Sequence, residues 1–261
     1  MTRAAVAGLV VAAAALTAFP ESAPTSIAVT TTLDKAKRKP SRALAAEPVE
    51  RVVIGRSVRG RPIHAIRVGD PDGDRVALAV GVIHGDERAG LTVIDQLSAV
   101  ELDGVQLWVI PSLNPDGSRA RERRNARGVD LNRNFPFRWR GGAPPSSGYY
   151  PGPSPASEPE TRAAMGFIQR IDPQVSVWYH QPWGAVLACR GTPEAAVRYA
   201  ALAGMRTSCR GRGLRGTAVS WQRDVLPGAQ AFVVEFGGGA IAQGIARRHA
   251  RALAIIARDG A

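Results

Sequence analysis

The 261 residues are 45% hydrophobic and 6% aromatic, enough for one α/β domain with a sizeable core and too few for two. A formal net charge of +12 favours anionic partners. No aromatic-plus-basic motif of a nucleic-acid binder is present, so nucleic acid is not expected among them.

The chain opens with Met1-Thr-Arg3 and continues in an Ala/Val/Leu run from Ala4 to Phe19. A short basic start before an apolar stretch near the lower limit of a membrane span predicts a signal peptide over residues 1–23. Once it is removed, no stable membrane insertion is expected. Residues 24–50 are rich in Thr, Pro, Ala and Lys without apolar periodicity, and predict a flexible linker. All lysines (Lys35, Lys37 and Lys39) fall there, so residues 51–261, the folded domain, carry their positive charge as arginine. An exported chain of this charge meets anionic cell-wall polymers first, which makes them expected partners and predicts a secreted or wall-associated location. Cys189 and Cys209 fit that oxidising compartment if they pair; two buried free thiols are the alternative.

Arg51–Ile54 and Ile63–Val68 flank a Gly/Arg/Ser turn and predict an opening hairpin. Val76–Ile83 is a continuous apolar run, the pattern of a buried central strand. Leu91, Ile94, Leu97 and Val100 recur at helical spacing, Val105–Ile110 predicts the next strand, and Asn114-Pro-Asp-Gly117 a turn. The long Arg-, Gly- and Pro-rich stretch from Gly117 to Ser157 has no period, and loops of that length in a compact domain are usually functional. Ser157-Glu-Pro-Glu160 reads as a capping box opening a helix to Ile171. Strands at Val175–Tyr179, Ala185–Ala188 and Ala231–Phe236 and helices at Pro193–Met205 and Ile241–Ala257 complete the chain. The alternation predicts a three-layer α/β/α sandwich around a mixed, mostly parallel sheet.

Four polar residues stand at the ends of three predicted strands: His84 and Glu87 in His-Gly-Asp-Glu, then His180, then Glu235. Ligands bind beyond the carboxyl ends of strands in such sheets, so the four should converge. His, Glu and His with one open position form the ligand set of hydrolytic zinc sites, where a bound water becomes acidic near neutral pH. A separate carboxylate must then carry the proton, and Glu235 fits. One Zn²⁺ per chain is expected. His64 and His249 lack partners at ligand spacing and are assigned to the hairpin and to the polar face of the last helix.

In family order the chain carries Gly55-Arg-Ser with Gly60-Arg61, His84-Gly-Asp-Glu87, Asn114-Pro-Asp-Gly117, Gly128-Val-Asp-Leu-Asn-Arg-Asn-Phe135, Ser157-Glu-Pro-Glu-Thr161, His180 and Glu235. With these segments it resembles the zinc carboxypeptidase family over nearly all of the folded region, and most of all that family's bacterial murein peptide amidases, which cleave γ-D-glutamyl-diaminopimelate bonds. The resemblance implies a carboxypeptidase-like fold and a zinc peptidase acting near a free carboxyl terminus of a peptide or peptidoglycan-derived substrate. It implies that Arg123 polarises the scissile carbonyl, with Arg124 competing for that place, and that Asn132 and Arg133 bind a terminal carboxylate. Larger members carry a tyrosine upstream of the catalytic glutamate. Here Trp221 stands in that stretch and is expected to line the pocket. Asp86 replaces an arginine common in the family, and either caps the following helix or receives an ammonium of the substrate.

Two rival functions share parts of this pattern. An acyl-amino-acid deacylase of the succinylglutamate desuccinylase and aspartoacylase type resembles the metal site. A wall-binding protein without catalysis would fit the charge, but has no physical reason to keep a costly buried charge cluster.

Overall fold

The structure, a computed structural model, describes residues 50–189 and 191–259. The expected signal peptide and all but the last residue of the expected linker lie outside the described residues. The strands are β1 (Arg51–Arg56), β2 (Pro62–Gly69), β3 (Arg75–Val80), β4 (Val105–Ile110), β5 (Val175–His180), β6 (Trp183–Leu187), β7 (Thr207–Ser208) and β8 (Gln230–Gly237). The helices are α1 (Ala89–Ile94), α2 (Pro115–Ala120), α3 (Pro159–Ile171), α4 (Glu194–Ala203), α5 (Ala218–Val225) and α6 (Gln243–Asp259).

The strands form one sheet in the order β1-β2-β4-β3-β5-β8-β6-β7. Its centre, β4-β3-β5-β8, is parallel, while β1/β2, β2/β4 and β6/β8 are antiparallel. Side chains alternate across the pleat, so each central strand feeds two cores. Ala77 and Ala79 of β3 join one core with Val177, Phe232, Tyr199 and Leu253, under α1, α4 and α6. Leu78 and Val80 join the other with Trp178, Phe167, Phe135 and Trp221, under α3 and α5. Helices thus cover both faces, giving the expected three-layer sandwich. Among the described residues no helix is long and apolar enough to cross a membrane.

Several local expectations are corrected. β3 ends at Val80, so Ile83 to Arg88 form a turn and α1 begins only at Ala89, with Arg88 as its N-cap. Asn114-Pro-Asp-Gly117 starts a helix, Asn114 capping it by accepting from the Gly117 N–H at 2.9 Å. No capping box forms at α3: Glu158 is the N-cap, and the buried Glu160 reaches out to the Val58 N–H (3.0 Å) and Asn125 Nδ2 (3.2 Å). The pull of two unmet donors on an otherwise desolvated carboxylate outweighs a local cap. His249 is 2% exposed rather than on a polar face, its Nδ1 2.7 Å from the Tyr199 hydroxyl.

Candidate active site and metal centre

Parallel register sets His180 of β5 beside Glu235 of β8 at the carboxyl end of the sheet. The turn after β3 brings His84 and Glu87 to the same end. That turn is held by close backbone packing: a Cβ on Gly85 would lie 2.0 Å from the Gly117 carbonyl carbon, so only glycine fits there. Two further sequence segments meet behind it. Asp116 pairs with Arg61 and accepts from the Arg59 N–H at 3.0 Å, while Asn114 Nδ2 donates to the Arg123 carbonyl at 3.3 Å. These contacts fix the backbone that carries Arg123.

His84, Glu87 and His180 are buried, and one ligand atom from each lies within 4.8 Å of the others. Glu87 Oε1 is 2.9 Å from His84 Nδ1, Glu87 Oε2 is 2.8 Å from His180 Nδ1, and the two Nδ1 atoms are 3.2 Å apart. Tetrahedral ligands around zinc stand roughly 3.3 Å apart, close to this spacing. The protonation of His84 agrees. Its Nε2 is 3.0 Å from Asp130 Oδ1, which only accepts, and its Nδ1 is 3.1 Å from Arg123 Nη1, which only donates. Nε2 donates to Asp130, which leaves Nδ1, turned toward Glu87 and His180, to offer its lone pair to a metal, as a carboxylate behind a metal-binding histidine arranges it. The residues fit one Zn²⁺.

Asp130 is the hub that sequence reasoning passed over. It is fully buried, and besides His84 it accepts from the Asn132 N–H (2.9 Å) and from Arg123 Nε (3.2 Å) and Nη2 (2.8 Å). Burial pushes its carboxyl up, but His84 and the arginines outweigh that and hold it well below the usual range. Glu87 is likewise pushed up by burial and pulled further down by His180 and His84. Burial lowers the His180 imidazole against the pull of Glu87, whereas for His84 the two carboxylates outweigh burial and raise it. Glu235 behaves oppositely: burial, then the charge of Glu87, pushes it up to about 7. Its Oε2 is buried and without a hydrogen-bond partner among the described residues.

His84, Glu87, His180 and Glu235 open on one cavity of about 600 Å³, together with Asp86, Arg123, Asn132, Arg133 and Tyr149. Arg123 reaches it, whereas Arg124 turns away and donates to the Pro145 and Ser147 carbonyls of the long loop. Asn132 faces the cavity with its Oδ1 held by the Ala218 N–H at 3.0 Å, while Asn125 and Asn134 staple loop backbone. Asp86 is exposed and caps nothing, because α1 starts three residues later. Trp221 is not in the cavity: it is 3% exposed and packs on Phe135 at 5.5 Å. The aromatic rings that do line the cavity are Trp183 of β6 and Tyr149 from the long loop, the latter with the guanidinium carbons of Arg123 and Arg133 5.2 and 5.6 Å from its ring centroid. Cys189 and Cys209 are bonded to each other, Cα atoms 5.0 Å apart, and both line the cavity wall.

A buried His-Glu-His cluster at the carboxyl end of a mixed sheet, beside a carboxylate with one oxygen unpartnered among the described residues, has the make-up of a zinc-hydrolase centre. The chain belongs to the zinc carboxypeptidase family, whose model matches residues 41–188. That stretch includes the three candidate zinc ligands and stops short of Glu235. Murein peptide amidase A of Escherichia coli K12 is 35% identical over 153 residues, 54% of this chain and 61% of that protein. Carboxypeptidase SOL1 of Arabidopsis thaliana is 32% identical over 154 residues, 52% of this chain and 29% of its own length. This chain thus matches less than two thirds of either relative. Among solved structures, murein-tripeptide amidase MpaA from Escherichia coli O157 superposes with a TM-score of 0.65 at 26% identity, covering 82% of this chain and 94% of that one. Carboxypeptidase A from Helicoverpa armigera shares the fold, with a TM-score of 0.66 at 19% identity over 80% and 69% of the two chains.

Proposed function

We propose that the chain is an exported peptidase that hydrolyses the bond to a residue with a free carboxyl terminus, in peptidoglycan peptides of the γ-D-glutamyl-diaminopimelate type. The carrying observation is the free Oε2 of Glu235 opening on the same cavity as the His84–Glu87–His180 cluster and the two arginines. Zinc held by that cluster supplies Lewis-acid chemistry, polarising the carbonyl and acidifying a water. Glu235 takes the proton of the attacking water and returns it to the leaving amine. Arg123, fixed by Asp130 and Glu87, offers donors to the carbonyl oxygen as charge develops there. Arg133 and Asn132 hold the terminal carboxylate. Asp86 adds negative charge to the cavity lining and suits the ammonium that diaminopimelate carries. The peptidoglycan assignment draws on the similarity to the two murein amidases, and export on the Cys189–Cys209 bond and the N-terminal sequence.

The test is incubation of the purified protein with defined muropeptides, with zinc and after chelation. Zinc-dependent release of diaminopimelate is the expected result. Turnover of N-acyl amino acids in its place would move the assignment to the deacylases.

A further inference from the structure

One half-buried charge in the cavity lies in the field of no acid. Arg223 stands in the last turn of α5, partly buried, and lines the same cavity as the metal cluster. Its Nε donates to the Ala231 carbonyl of β8 at 2.8 Å, and among the described residues no carboxylate meets its guanidinium. Burial lowers its pKa, with no acid opposing the shift. The neighbouring arginines differ. Arg123 is neutralised by Asp130 and Glu87, Arg133 lies in the field of the same two carboxylates, and Arg210 and Arg212 are exposed to solvent.

A desolvated cation without a partner is costly, and a neutral donor would satisfy the Ala231 carbonyl as well. Ala231, Val233 and Glu235 alternate onto one face of β8, and Val233 and Glu235 both line the cavity. Four steps along the strand separate Ala231 from Glu235, roughly 13 Å. Arg223 is therefore anchored beyond the reacting end, where the side chain of a terminal residue would extend.

We propose that Arg223 is a specificity-determining residue that binds a carboxylate on the side chain of the substrate's terminal residue. The cavity then selects terminal residues bearing two carboxylates, of which diaminopimelate and glutamate are examples. This selection rests on the peptidase reading above and names its substrate class.

Diaminopimelate and lysine differ by one carboxylate on the far carbon, and glutamate and glutamine differ by charge at constant size. The experiment compares peptides ending in each, and calorimetric binding of the four free amino acids, for the zinc-loaded full chain, Arg223→Gln and Arg223→Lys. Wild type should favour the dicarboxylate of each pair by roughly 10- to 100-fold, the range for a hydrogen bond to a charged group. In Arg223→Gln that preference should fall within threefold, mainly through KM, and Arg223→Lys should retain part of it. Binding preference without cleavage would overturn the peptidase reading and leave the subsite standing. Equal use of both members of each pair by wild type would overturn the proposal. So would a preference that survives in Arg223→Gln alongside a lower Tm, which would leave Arg223 as a tie between α5 and β8.

Discussion

Asp130→Asn tests how the metal centre is held. The carboxylate accepts four hydrogen bonds in a fully buried place, from His84 and the Asn132 N–H on Oδ1 and from two nitrogens of Arg123 on Oδ2. An amide of the same shape offers one acceptor and one donor group. In one orientation its NH₂ confronts the Arg123 cation; in the other it confronts His84 Nε2–H and a backbone N–H. Two of the four bonds fail either way. Hydrogen bonds to charged groups contribute about 1.5–3 kcal/mol each, and breaking a buried ion pair costs about 3–5 kcal/mol, so the apo protein should lose about 3–5 kcal/mol. The His84 tautomer also loses its anchor, which should weaken zinc binding by about 10- to 100-fold. Urea unfolding of the apo protein and competition with a chromophoric chelator measure the two effects separately. Zinc affinity within threefold of wild type, with stability unchanged, would refute the reasoning.

Glu235→Gln should retain zinc and fold but lose about 10²- to 10⁴-fold in kcat, the usual worth of general acid–base catalysis; a loss under threefold in steady-state assays would remove Glu235 from that role. His249 is held neutral by burial, then by the charge of Arg248, with its pKa lowered to about 4. The unfolded chain binds that proton near pH 6.5, so the stability it contributes is full above pH 6.5 and is lost as pH falls toward 4, about 3 kcal/mol in all. Chemical denaturation across that window should show a shallower pH slope for His249→Gln, and equal slopes would contradict the assignment. The Cys189–Cys209 bond spans a separation of 20 residues, and its removal should cost about 3 kcal/mol in the chain-entropy model. Non-reducing mass analysis that finds two free thiols in protein purified without reductant would contradict that bond.

The sheet and its two helical layers were legible in the sequence because apolar runs alternate with polar turns; His84 and Glu87, in the turn after β3, were read from His-Gly-Asp-Glu, and His180 and Glu235 from the polar ends of apolar runs. His180 and Glu235 are the clearest cases, since parallel pairing of two such strands leaves their ends side by side. Asp130, Tyr149 and Arg223 were not legible as members of the site. Asp130 and Tyr149 lie in the aperiodic stretch between α2 and α3, where no repeat says which way a side chain turns. Arg223 lies on α5, a helix of eight residues that was not among the expected elements, capped by Thr217 Oγ1 accepting from the Ser220 N–H. Trp221 shows the converse error. The resemblance suggested the pocket, since Trp221 stands in the stretch where larger family members carry a tyrosine, but two positions along the same short helix separate core from cavity, and the larger apolar ring took the core.

The central claim is that His84, Glu87 and His180 hold one zinc ion. Elemental analysis of the purified full chain and of His180→Ala tests it most directly: the account predicts one zinc per chain in the first and loss of zinc, with activity, in the second. Full zinc occupancy in His180→Ala would contradict it.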